Sequence, residues 1–142
     1  MLDRTRRVLI AEDHPDDMRA LLRAFKKKPA WEIAAVTDGE QALDFMFRRG
    51  AYTDAWRPDL FILNINMPKV YGLDVLKQVK AIKHLATIPI VMWTISEHFP
   101  DIELAYKLGA AAFVVKPVGD DKMESCANAI RAFWDWVWFA NE

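Results

Sequence analysis

The order of apolar runs along the chain limits its fold more tightly than any other feature. Four runs, at residues 8–11, 60–63, 88–93 and 112–115, lack polar alternation, as parallel strands covered on both faces do. A weaker fifth, at 31–36, suits a sheet edge. After each run the apolar residues recur at helical spacing: Met18, Leu21, Leu22 and Phe25; Ala42, Leu43 and Met46; Leu73, Leu76, Val79 and Ile82; Ile102, Ala105 and Leu108; Met123, Ala127, Ile130, Trp134 and Val137. Strand precedes helix five times. A parallel crossover needs a helix and is nearly always right-handed, so the expected class is α/β, a doubly wound (βα)5 unit with a five-stranded parallel sheet between helices. Ligands of such sheets sit at the carboxyl ends of the strands, where the winding direction reverses.

Local punctuation agrees. Thr37-Asp38-Gly39-Glu40 has the spacing of a capping box opening the second helix, Pro15 suits a first helical turn, and Gly109 stands where a left-handed residue would close the fourth helix. The longest irregular stretch is 49–58. At 142 residues the chain suits one domain, 1–142, and a hydrophobic fraction of 53% excludes disorder. A net charge of −1 gives no global field for nucleic acid or anionic lipid, so neither is an expected partner. The single cysteine, Cys126, excludes an internal disulfide and lies on the apolar stripe of the last helix, a packing position. No apolar run is long enough to cross a bilayer, and the charged segment 1–7 lacks a signal core, so the expected location is cytoplasmic.

On this arrangement one crevice gathers Glu12 and Asp13 after the first strand, Asn64 at the end of the third, Thr94 and Ser96 after the fourth, and Lys116 after the fifth. Hard oxygen donors are what Mg²⁺ needs, and an ammonium with a hydroxyl is what a phosphoryl group needs. Each residue alone has a plainer reading: Asp13 as a helix cap, Thr94 as a loop hydroxyl, Lys116 as solvated surface. Their joint placement at four strand ends carries the signal. His14, His84 and His98 have no metal-ligand spacing.

The blocks Val-Leu-Ile-Ala-Glu-Asp (8–13), Pro-Asp-Leu-Phe-Ile-Leu-Asn-Ile-Asn-Met-Pro (58–68), Gly-Leu-Asp-Val-Leu (72–76), Ile-Pro-Ile-Val-Met-Trp-Thr (88–94) and Gly-Ala-Ala-Ala-Phe-Val-Val-Lys-Pro (109–117) resemble the receiver domains of two-component response regulators. The likeness runs from about Arg7 to Phe133, and the stretch Phe45-Met-Phe-Arg-Arg-Gly-Ala-Tyr with the aromatic last helix is most similar to single-domain regulators associated with phytochromes. The resemblance implies a flavodoxin-like sheet of strand order 2-1-3-4-5 and no output domain. It implies Mg²⁺ held by Glu12, Asp13 and the backbone carbonyl of Asn66, a phosphoryl-contacting Thr94 and Lys116, and a switching aromatic at Phe113. It further implies a Lys116–Pro117 peptide bond that is often cis, and a sensor histidine kinase, of phytochrome type, or a downstream protein as partner.

The family's phosphoacceptor aspartate is here Asn64. A carboxylate oxygen attacks phosphorus; a carboxamide, its nitrogen lone pair delocalised, is a very poor nucleophile. Ordinary aspartyl phosphorylation is therefore excluded at this position, and Asn64 would be only a weak contributor to a weakened Mg²⁺ site. Either the chain is a natural pseudo-receiver or it is a phosphorylation-dead variant of an ordinary one. Asp59, opening a strand, and Asp74, inside a helix, are too remote from Lys116 to substitute.

Output is then expected through protein contact, without enzyme activity. The communicating surface of the family is the fourth helix, fifth strand and fifth helix, here about 100–108, 113–115 and 120–139, and a homodimer through it is one expectation. On a helical wheel Phe133 and Trp134 join the core stripe, whereas Trp136 and Phe139 fall outside it as interface candidates; Trp93, beside Thr94, falls at the rim of the site. The rival reading is a Mg²⁺-dependent phosphatase-like hydrolase on the same type of α/β fold. It needs a nucleophilic Asp after its first strand and another two residues on, which Glu12-Asp13-His14-Pro15 does not supply. Gly-rich dinucleotide or phosphate loops are also missing there.

Overall fold

The computed structural model describes residues 4–140, and the ends of the expected unit, 1–3 and 141–142, lie outside them. Within these residues the chain runs β1 (Arg7–Ala11), α1 (Pro15–Lys26), β2 (Glu32–Val36), α2 (Gly39–Phe47), β3 (Leu60–Leu63), α3 (Gly72–Lys80), β4 (Ile90–Thr94), α4 (Phe99–Lys107), β5 (Ala112–Val115) and α5 (Asp120–Asp135). All strand pairs are parallel, in the order β2-β1-β3-β4-β5. The weak run at 31–36 is indeed an edge strand. Among the described residues no helix is long and apolar enough to cross a membrane.

Side chains alternate along each strand, so the sheet feeds two cores. Leu9, Ala11, Phe61, Leu63, Ile90 and Met92 face α2, α3 and α4. Val8, Ile10, Leu60, Ile62, Val91 and Trp93 face α1 and α5. Winding reverses between β1 and β3, which places the crevice at their carboxyl ends.

Several expected boundaries shift for local reasons. The α2 cap is one residue later than expected: Asp38 accepts from the Gln41 amide (2.7 Å), while the Gln41 side chain takes the Thr37 N–H (3.0 Å). Within 49–58 the chain makes a short 3-10 turn at Gly50–Tyr52. β4 begins at Ile90 because the Ile88 carbonyl accepts from Lys80 Nζ (2.8 Å), and it takes in Thr94 because the Thr94 carbonyl accepts from the Lys116 N–H (2.7 Å). Pro15 does open α1, and Gly109, at φ 103, does follow α4 in the left-handed region. The cis peptide bond among the described residues is Lys28–Pro29; Lys116–Pro117 is not cis.

The last helix differs most from expectation. It ends at Asp135, where Arg6 donates to the carbonyls of Trp134 (2.8 Å) and Asp135 (2.6 Å), and the chain then folds back. Phe139 is consequently not an interface residue. It is buried, stacked on Trp134 (6.0 Å between centroids), edge-on to Trp31 (6.2 Å) and covered by the Arg6 guanidinium (5.2 Å). Phe133, expected in the core, is 64% exposed, because the buried stripe is rotated toward Arg131. The Arg131 guanidinium passes inward to the carbonyls of Ala24 (2.8 Å), Lys27 (2.9 Å) and Pro29 (2.6 Å), closing the open end of α1. Trp136, by contrast, stays in solvent at 88% exposure.

Two expected outcomes follow from this packing. Phe139→Ala lowers unfolding stability by about 3 kcal/mol, as truncation of a buried ring does, whereas Trp136→Ala stays within about 0.5 kcal/mol. Arg131→Met, which leaves three carbonyls without their donor, costs about 2–3 kcal/mol. Urea titration monitored by circular dichroism reads all three.

Candidate functional site

Backbone register assembles the crevice. Ala11 pairs with Leu63, so Glu12 and Asn64 leave the sheet side by side, and the Asn64 N–H donates to the Ala11 carbonyl (3.1 Å). Thr94 pairs with Val115, which brings Lys116 alongside. The loop after Asn64 is held by close backbone approach: a Cβ on Gly72 would run into the Asn64 carbonyl, and one on Gly39 into the Val70 carbonyl. The Gly72 N–H donates to the Ile65 carbonyl at 2.8 Å, fixing the turn into α3.

The side chains form a continuous polar chain across these strand ends. Asn64 Nδ2 donates to Glu12 Oε2 (3.0 Å) and Asp13 Oδ1 (3.2 Å), and lies 3.5 Å from the Asn66 carbonyl oxygen. Glu12 Oε2 also accepts from the His14 N–H (3.0 Å), and Oε1 pairs with Lys116 Nζ at 2.5 Å. Lys116 Nζ is shared with Asp17 Oδ2 at 2.8 Å, and Asp17 Oδ1 faces His14 Nδ1 at 3.5 Å. Glu12, Asn64, Thr94 and Lys116 are buried, whereas Asp13 opens to solvent. Burial pushes the Glu12 carboxyl above its ordinary range, a shift opposed by the Lys116 ammonium and the His14 amide.

Thr94 Oγ1 accepts from the Ser96 N–H (3.3 Å), and Ser96 Oγ in turn meets Asp101 (3.3 Å) and the His98 N–H (3.3 Å). Phe113 packs on the α2–α4 core, its N–H donating to the Tyr106 hydroxyl (3.0 Å). Trp93 is not at the rim. It is fully buried on the α1/α5 face, beneath Lys116 Nζ at 5.9 Å from the ring centroid. Asp17 is the residue that reading the sequence missed. Pro15 fixes the helix start and so places residue 17 in the first turn of α1, and that was the available signal. Asp59 serves the fold instead, clamping Arg4 at 2.5 Å and the Arg7 N–H at 2.8 Å.

The sequence profile described as the response regulator receiver domain matches residues 8–128. The chain is a response regulator receiver domain. Among its relatives is response regulator Rcp1 of Synechocystis sp., 29% identical over 128 residues, or 89% of this chain and 87% of that protein. The crystal structure of the Mn²⁺-bound form of Rcp1 superposes with a TM-score of 0.91 at 28% identity, covering 94% of this receiver and 98% of that chain. The phosphorylated cyanobacterial phytochrome response regulator RcpA superposes at 0.93, with 27% identity and coverage of 96% and 99%. The bacteriophytochrome response regulator AtBRR has 37% identity over 98% of this receiver and 99% of that chain, with a TM-score of 0.73.

In this receiver the four groups to which the resemblance assigned Mg²⁺, namely Glu12, Asp13, the Asn66 carbonyl and Asn64, do come together. Their arrangement does not fit a divalent cation, however. An N–H₂ group faces the three oxygens, and the remaining Glu12 oxygen is held by an ammonium. The oxygens are set to accept from N–H donors.

Proposed function

We propose that this receiver, one domain spanning 1–142, works in a two-component phosphorelay by protein contact without taking up a phosphoryl group itself. Asn64 carries the reading: it occupies the strand end at which the family places its phosphoacceptor aspartate, and a carboxamide cannot form the acyl phosphate. Mg²⁺ is bound weakly at most, since a formal charge has been removed from the oxygen set and the Asn64 amide nitrogen stands between the two carboxylates. The partner is a sensor histidine kinase of the phytochrome type or a protein downstream of it, a reading supported by relatives described as phytochrome and bacteriophytochrome response regulators. The protein acts in the cytoplasm and has no catalytic role.

The contact surface is α4–β5–α5, and its occupant is a second copy of this chain. Two observations support this. All four β5 residues are partly exposed although those of β3 and β4 are buried, so the sheet is only partly covered at that edge. Exposed apolar side chains flank it, with Leu104 and Tyr106 on α4 and Phe133 on α5. Sedimentation velocity is expected to show a dimer whose sedimentation coefficient is unchanged by acetyl phosphate with Mg²⁺, and a monomer for Phe133→Ala. A monomeric wild type, or a dimer that forms only on adding the phosphodonor, contradicts this reading.

A further inference from the structure

The donor geometry around Asn64 says more than that a nucleophile is missing. We propose that the Asn64 amide group is a built-in substitute for the divalent cation, which makes the acidic pocket of this receiver independent of metal. The inference rests on the reading of Asn64 as the family's phosphoacceptor position but adds a role for the amide itself.

Nδ2 lies 3.0 Å from Glu12 Oε2, 3.2 Å from Asp13 Oδ1 and 3.5 Å from the Asn66 carbonyl oxygen. Those three oxygens, from two different loops, converge on one nitrogen. An amide N–H₂ has two donors and no acceptor capacity, so it suits a pocket built only of acceptors. Lys116 completes the set by taking Glu12 Oε1, with Asp17 sharing its charge. Two carboxylates at the mouth of a buried crevice repel each other unless a cation or donors intervene. Here donors from the chain itself intervene: the Asn64 amide between Glu12 and Asp13, the ammonium of Lys116 behind Glu12, and the His14 N–H on Glu12 Oε2 at 3.0 Å. An incoming cation must displace Nδ2 from both carboxylates, while the other Glu12 oxygen stays paired with Lys116. The β1–α1 and β3–α3 loops are thereby joined without a metal.

The substitution Asn64→Ala distinguishes this role from a merely weakened site. Removing the amide frees the oxygens and opens space between them, so the variant should bind metal better than the wild type. Thermal unfolding of the full chain is measured in EDTA and in millimolar Mg²⁺ or Mn²⁺. The wild type is expected to keep its Tm within about 1 °C, and Asn64→Ala and Asn64→Asp to rise by about 5 °C on adding metal. Direct Mn²⁺ binding, read from the loss of the free-ion electron paramagnetic resonance signal, gives the same ranking if a variant unfolds too early for the comparison. A wild type that responds to metal as strongly as Asn64→Asp overturns the proposal, as does an Asn64→Ala variant no more responsive than the wild type. Failure here is separable from failure of the functional reading: a wild type that binds Mn²⁺ yet gains no phosphoryl mass overturns only the amide's role.

Discussion

Asn64→Asp, incubated with acetyl phosphate and Mg²⁺, is expected to gain the mass of one phosphoryl group, lost again on brief alkaline treatment as an acyl phosphate is. The side chains to which the resemblance assigns that transfer stand on neighbouring strand ends, with Lys116 Nζ held at rest by Glu12 and Asp17. The new carboxylate would occupy the end of β3 beside Glu12, with Lys116 and Thr94 on the neighbouring strand ends. One carboxylate oxygen would attack phosphorus, acetate would depart with the electrons of the broken P–O bond, and the Lys116 ammonium would offset charge on the phosphoryl oxygens, with Glu12, Asp13 and the new carboxylate as the groups that would hold a divalent cation. The same change reverses the electrostatics at rest. An amide nitrogen that donates to Glu12 (3.0 Å) and Asp13 (3.2 Å) becomes an oxygen that repels both. The variant should therefore be less stable than the wild type in EDTA and recover with Mg²⁺. A variant that takes up no phosphoryl group would show that other parts of the site have decayed too, the tie of Lys116 to Glu12 and Asp17 being the first to test.

The second large effect is on stability. Lys116→Met removes the charge facing a fully buried carboxylate, and loss of one member of a buried ion pair costs about 3–5 kcal/mol. The deficit should depend on pH. Burial already raises the Glu12 carboxyl above its ordinary 4.5, and losing the ammonium raises it further. A carboxyl whose folded pKa exceeds its unfolded value holds its proton more tightly when folded, so stability falls as pH rises through that window. The variant's deficit is thus full near neutral pH and shrinks as pH falls toward the ordinary carboxylate range, about 4–5. Urea unfolding of both proteins across that range checks it; a deficit that is constant with pH would mean that Lys116 acts through its packing on Trp93 (5.9 Å) instead.

The five strand–helix units and the gathering of Glu12, Asp13, Asn64, Thr94 and Lys116 at strand ends were legible because each depends on local pattern, whereas the strand order followed only from the family resemblance. An apolar run with no alternation reads as a covered strand wherever it occurs, and the residue after its end is placed by the fold class. The misplaced features depend on distant partners. Helical spacing continues past Trp134 to Val137, and nothing local signals that Arg6, from the other end of the chain, stops α5 at Asp135 and lets Phe139 turn inward. Arg131 reads as a surface residue until the carbonyls of α1 are brought to it. Asp17 acquires its meaning from Lys116, 99 residues away. Trp93 is a different case: its neighbour Thr94 reaches the site, but adjacent strand residues point to opposite faces, so a period of two already excluded it from the rim.

The role of this receiver turns on whether Asn64 accepts a phosphoryl group. Intact mass spectrometry of the wild-type chain after incubation with acetyl phosphate and Mg²⁺, kept near neutral pH and cold to preserve any acyl phosphate, tests this most directly. The expected spectrum is a single unshifted mass under conditions in which Asn64→Asp is modified. A phosphoryl adduct on the wild type, mapped to the peptide that contains Asn64, would contradict the account.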